Sequence, residues 1–208
     1  MAEPALSEGP MTSVCVFCAA NAQIDPVHIK TAFELGAAIA ARGWTLVSGG
    51  GSVSSMGAVA DGARSKGGQT IGVIPKALFE KEVADHDSSE LIVSQNMRDR
   101  KAEMENRSDA FIVLPGGIGT LEEFFEIWVS RSLGMHDKPV LVLDPVGLYQ
   151  PLQTWLNQLT ELGFISAESA QCVYWTKDIE TALDQITQEL ANPVTRQGTD
   201  AEIVEAEL

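Results

Sequence analysis

Short apolar runs alternate with longer amphipathic stretches along this chain, a pattern that predicts strands alternating with helices. Ser13–Phe17 reads as a first strand. Residues 26–42 read as a helix, with Asp25 placed to cap it, Pro26 in its first turn and Gly43 just past its end. A second strand at 44–47 leads into Gly49-Gly50-Gly51-Ser52 and a helix of small residues over about 53–65. Residues 70–74, closed by Pro75, form a third strand, and 91–93 a weaker fourth. Residues 96–106 read as a polar helix rich in Arg, Lys and Glu. A fifth strand at 110–114 runs into the tight loop 115–120 and a helix over about 120–133. Val140–Leu143 is a sixth strand, 148–162 a helix, 172–175 a seventh strand and 178–190 a last helix.

The predicted strands are almost continuously apolar and rich in β-branched residues, which suits parallel strands covered on both faces. The expected architecture is therefore α/β: a Rossmann-like doubly wound sheet, mainly parallel, of about seven strands with helices on both faces. We expect one domain over residues 13–191, between a flexible N-terminus (1–12) and an acidic flexible tail (192–208). Ligands of such sheets bind outside the carboxyl ends of the strands, and both glycine loops fall at such ends.

Composition narrows the partners. With 14 Lys and Arg against 29 Asp and Glu, the net charge is −15, which repels nucleic acid. An anionic small substrate then needs a local positive site. Cys15 and Cys18 form a C-x-x-C, but they lie in an apolar run and have no second pair to complete a zinc site, so they read as small core residues. The acidic residues 1–10 lack a basic leader pattern, and no stretch reaches about 18 uninterrupted apolar residues. No membrane association is expected, and the cytoplasm is the expected compartment.

The strongest chemical signal is Pro115-Gly116-Gly117-Ile118-Gly119-Thr120-Leu121-Glu122-Glu123, which follows an apolar strand and opens a helix. Its glycines let backbone approach a ligand, and the amides and dipole of a helix start favour an anion. Thr120 adds a hydroxyl donor. Glu122 and Glu123 point about 100° apart on a helix, so only one of them faces such a ligand. Arg98, Arg100 and Lys101 supply basic partners, although taken alone that segment reads as a solvated basic turn. The loop Ser48-Gly49-Gly50-Gly51-Ser52-Val53-Ser54-Ser55-Met56-Gly57 lacks G-x-G-x-x-G spacing, and no Walker A sequence is present. Its glycines serve either a ligand or a tight turn with close helix packing. His28, His86 and His136 show neither metal-ligand nor triad spacing and read as surface or turn residues.

Several of these segments together resemble the LONELY GUY (LOG) family, the cytokinin riboside 5′-monophosphate phosphoribohydrolases, often labelled lysine decarboxylases. Residues 115–123 match P-G-G-x-G-T-x-x-E, and Arg100-Lys101-Ala102-Glu103-Met104 resembles R-K-x-x-M. Ser108-Asp109-Ala110-Phe111, the second glycine loop, Gly72-Val73-Ile74-Pro75, Gly134-Met135-His136-Asp137-Lys138-Pro139 and Gly163-Phe164-Ile165 extend the likeness over about 13–190. The resemblance implies hydrolysis of AMP or N6-modified AMP to free base and ribose 5-phosphate, without cofactor or metal, by a homodimer or higher homo-oligomer. Arg100 and Glu123 would be the catalytic pair. Gly116, Gly117, Gly119 and Thr120 would hold the phosphate, with Lys101, Glu122, Gly50 and Gly51 nearby and Glu82 against the base. The chain departs from the family at Phe17-Cys18-Ala19-Ala20-Asn21, where F-C-G-S-S is usual. It also carries Val129 and Arg98 where plant members have Thr and His.

Cleaving a base from ribose builds positive charge on the sugar, which a carboxylate at 123 would stabilise while Arg100 keeps it ionised. A proton donor must help the base leave, and the residues alone do not name it. Two other functions stay in view: a pyridoxal phosphate decarboxylase, for which no Schiff-base lysine is marked, and a nucleotide or molybdenum-cofactor carrier that needs no Arg–Glu pair.

Overall fold

The computed structural model describes residues 11–79 and 84–193, so Glu82, residues 1–10 and most of the acidic tail lie outside the described residues. In chain order, the elements are β1 (Ser13–Phe17), α1 (Pro26–Ala41), β2 (Thr45–Ser48), α2 (Ser54–Ser65), β3 (Thr70–Pro75), α3 (Lys76–Phe79), β4 (Glu90–Ser94) and α4 (Met97–Asn106). They continue with β5 (Ala110–Val113), α5 (Ile118–Ser132), β6 (Val140–Leu143), α6 (Gln150–Glu161), α7 (Ala167–Ala170), β7 (Val173–Thr176) and α8 (Ile179–Ala191). The one-turn helices α3 and α7 are too short to leave a periodic pattern in the sequence.

The seven strands form one sheet in the order β4-β3-β2-β1-β5-β6-β7, and every adjacent pair is parallel. This is the expected doubly wound α/β sheet. Period-two alternation sends successive side chains to opposite faces. Val14 and Val16 join Ile112, Leu141, α1, α2 and α8 in one core. Cys15 and Phe17 join Phe111, Val142, α4, α5 and α6 in the other. Cys15, Cys18 and Cys172 are all buried, in keeping with their apolar surroundings.

α1 and α2 cross at glycines. A Cβ on Gly36 would lie 1.9 Å from the Val59 carbonyl oxygen, and one on Gly62 would lie 2.0 Å from that of Phe33. A backbone oxygen cannot yield at that distance unless the helices separate. Gly62→Ala is therefore expected to lower the thermal midpoint despite its better helix propensity, since overpacking costs about 1–3 kcal/mol and each kcal/mol is worth about 2–4 °C at this size. A melt showing an unchanged midpoint would refute this close-packing role.

Candidate active site

Strand order reverses between β1 and β5, and at such a switch point the carboxyl ends of the strands diverge and leave a crevice. A cleft of about 770 Å³ opens there. Its walls are Cys18–Asn21 after β1, Gly49 and Gly51 after β2, Ile74 at the end of β3, and Pro115, Gly116, Gly117 and Gly119 after β5.

Arg100 and Glu123 form its floor. Asn96 caps α4 by accepting from the Arg98 and Asp99 amides, which sets the helix that carries Arg100. The Arg100 guanidinium donates from Nε to the Val73 carbonyl at 3.0 Å and from Nη1 to Glu123 Oε1 at 2.8 Å. Both residues are buried, 5% and 9% exposed, yet both line the cleft. Burial raises the Glu123 pKa, and the attraction of Arg100 only partly offsets it. Burial thus outweighs the arginine in setting the direction of this shift.

The remaining charges sort by geometry. Glu122 lines the cleft at its exposed rim, where Lys101 pairs with both Glu122 and Glu126. Burial would lower the Lys101 ammonium, but its hydrogen bonds to the two glutamates raise it instead. Arg98 stays exposed. Of two adjacent carboxylates, one is thus committed to the cleft floor and the other to a surface pair linking α4 to α5.

The glycine loop after β2 serves packing and ligand access together. A Cβ on Gly49 would sit 1.9 Å from Arg100 Nη2, so the bare backbone there makes room for the guanidinium. Gly50 has φ +70°, lies against Val73 and does not line the cleft, whereas Gly51 does. The Gly50 carbonyl accepts from the Asp85 amide at 2.8 Å, and the buried Asp85 carboxylate is held by Arg64 at 2.7 Å.

The loop after β5 ends in α5, whose cap residue Gly117 is extended and makes no side-chain cap bond. By contrast, Asp25, Asn96 and Asp178 cap α1, α4 and α8. The first amides of α5 have no intrahelical acceptor, and Gly117, Gly119 and Thr120 line the cleft. Gly117 and Gly119 would meet nothing within 4 Å if given a Cβ, so their missing side chains leave open space for a ligand. Gly116 and Thr120 are used differently. The Thr120 hydroxyl donates to the Cys18 carbonyl at 3.1 Å, pinning α5 to β1 rather than donating into the cleft. The Gly116 amide donates to the Tyr149 hydroxyl at 2.7 Å, which in turn donates to the Gly116 carbonyl at 2.9 Å.

Tyr149 is a residue the sequence pattern did not single out, because it merges there into the helix 148–162. The Asp144 carboxylate accepts from the amides of Gly147, Leu148 and Tyr149, so α6 starts only at Gln150. Asp144 at a strand end with Gly147 three residues on was a readable turn signal. His28 was also under-read: it sits half-buried on α1 and lines the cleft. His86 is exposed, and His136 lies in a turn with its ring bonded to the Ile127 carbonyl and the Lys138 amide. Burial pushes the thiols of Cys15 and Cys18 well up, leaving them protonated.

Residues 56–186 match the family model described as "Possible lysine decarboxylase". A cytokinin riboside 5′-monophosphate phosphoribohydrolase of Mycobacterium tuberculosis is 52% identical over 174 residues, which cover 82% of this chain and 91% of that protein. The chain belongs to this phosphoribohydrolase family. Another family member, from Arabidopsis thaliana, is 42% identical over 159 residues, covering 76% of this chain and 75% of its own length. The fold extends further, to a molybdenum cofactor binding protein of Rippkaea orientalis with a TM-score of 0.67 and 25% identity, covering 86% of this chain and 98% of that one. No lysine among the described residues lines the cleft.

Proposed function

We propose that this chain hydrolyses the N-glycosidic bond of AMP or an N6-modified AMP, releasing free base and ribose 5-phosphate. The observation that carries this reading is the buried Arg100–Glu123 pair, set in a cleft beside an uncapped helix start. The amides of Gly117, Ile118 and Gly119 take the phosphate, and Glu122 and Lys101 shape the rim. Fixing the phosphate turns remote binding into alignment of the sugar. Glu123 then faces the anomeric carbon, stabilises the positive charge that develops there and takes the proton of the attacking water. The water oxygen bonds to the anomeric carbon as the bond to the base nitrogen breaks. A proton delivered to the base completes its departure.

The same proposal places the activity in a single domain over residues 13–191, acting in the cytoplasm as a homodimer or higher homo-oligomer. The buried thiols of Cys15 and Cys18 suit a reducing compartment. α5 exposes Ile118 and Val129 three turns apart on one face, which suits contact with a second copy. No helix among the described residues is long and apolar enough to cross a membrane.

Incubation with a panel of nucleoside 5′-monophosphates, followed by chromatography, tests the reading. Free base and ribose 5-phosphate are expected from AMP or its N6-isopentenyl derivative. Intact nucleotides across the whole panel would overturn it in favour of a non-enzymatic carrier; the Rippkaea orientalis protein is named a molybdenum cofactor binding protein.

A further inference from the structure

We propose that Tyr149 is a positioning residue for phosphate binding: its hydroxyl clamps Gly116 so that the amides beyond it are held ready for the anion. The inference rests on the phosphoribohydrolase reading and adds a third segment, the turn after β6, to the two glycine loops.

Gly116 begins the bend between β5 and α5. Both of its backbone polar groups are engaged by one phenol, at 2.7 Å and 2.9 Å. On its other side, Thr120 packs so closely that a Cβ on Gly116 would lie 2.2 Å from Thr120 Oγ1, and that hydroxyl is tied to β1 through Cys18. The bend is therefore gripped from β1 by Thr120 and from β6 by Tyr149. Between these two anchors, Gly117 and Gly119 line the cleft with open space where a side chain would be.

Tyr149 is suited to act as an anchor. Its ring belongs to the core packed against α5 and is only 6% exposed. Its own amide donates to the buried Asp144 carboxylate at 2.7 Å, the shortest of three such bonds in that turn. Accepting and donating at once requires a protonated phenol, and burial pushes this one up to about 12. Loss of the hydroxyl alone takes an acceptor from the Gly116 amide and a donor from the Gly116 carbonyl, and the bend must re-form around other partners. A loop that has to be re-ordered by its ligand binds that ligand more weakly than one already in place.

Tyr149→Phe keeps the ring and removes only the clamp. The affinity for ribose 5-phosphate, measured by calorimetry, and the KM for AMP are each expected to weaken about tenfold, the size of one lost hydrogen-bonded anchor. Inhibition by free adenine, which carries no phosphate, stays within twofold. Unchanged ribose 5-phosphate affinity would overturn the proposal, as would an equal loss for adenine, since that marks a general structural defect. Hydrogen exchange on the wild-type chain gives a readout independent of any variant. The Gly116 amide is expected to be protected without ligand, and the Gly119 amide only after ribose 5-phosphate is added. A Gly116 amide that exchanges freely until ligand arrives overturns the clamp. The binding and exchange arms need no turnover, so wild-type protein that binds ribose 5-phosphate but cleaves no nucleotide would count against the hydrolase reading while leaving Tyr149 decided on its own data.

Discussion

Glu123→Gln is expected to reduce turnover of AMP by about a thousandfold or more while nucleotide binding persists, given that a positioned carboxylate of this kind contributes about 10²–10⁴ in rate. The amide keeps the size of the carboxyl, and its carbonyl oxygen can still accept the Arg100 hydrogen bond, 2.8 Å long in the wild-type chain. On the proposed mechanism, what is lost is the negative charge that would face the anomeric carbon and the capacity to take a proton from water. Single-turnover assays with chromatography of released base measure the chemical step, and equilibrium binding of AMP measures the rest. Undiminished turnover would remove Glu123 from the mechanism. The wild-type pH profile carries a linked expectation. The proposed mechanism needs the ionised carboxylate, so activity is expected to rise with pH through the Glu123 pKa. Because burial raises that pKa against the pull of Arg100, the acid limb of kcat/KM is expected above the ordinary carboxylate range.

Arg100→Ala is expected to damage both stability and rate. It strands a carboxylate that is only 9% exposed, and removing one partner of a buried ion pair costs about 3–5 kcal/mol. It also leaves the Val73 carbonyl without the Nε donor that now reaches it at 3.0 Å. Glu123 escapes part of the cost by staying protonated to higher pH. The residual activity should therefore be at least a hundredfold lower near neutrality, on the scale of a lost electrostatic donor, and its acid limb should move further up in pH. Arg100→Lys keeps the charge but not the fork that serves Val73 and Glu123 together, so it should recover stability better than rate. A pH profile of Arg100→Ala with its acid limb at the wild-type position would show that the arginine does not act on Glu123.

Much of this site was legible in the linear pattern because its parts are local. The helix start after β5 is announced by three glycines following an apolar strand, and the basic turn at 98–101 is contiguous. The 100° step between neighbouring helical residues already required that Glu122 and Glu123 diverge. Which of the two turns inward depended on the packing of α5. Phe124 and Trp128 bury one side of that helix and carry Glu123 under the sheet end with them, while Glu122 is left to Lys101. Similarly, nothing near Gly49 in sequence reveals that a guanidinium lies across it, since Arg100 is brought there by β3 and α4.

The residues alone determined the α/β class, the two loops at strand ends and the chemistry types available at positions 100, 122 and 123, because strand period, helix caps and glycine turns are encoded within a few residues. The tertiary structure alone decided which charges meet, that the Thr120 hydroxyl and Gly116 amide are spent on holding the loop, and that Tyr149 and His28 belong to the site's surroundings. Those outcomes depend on contacts between positions such as 18 and 120 or 116 and 149, which only the folding of separate β–α units into one sheet brings within hydrogen-bonding reach.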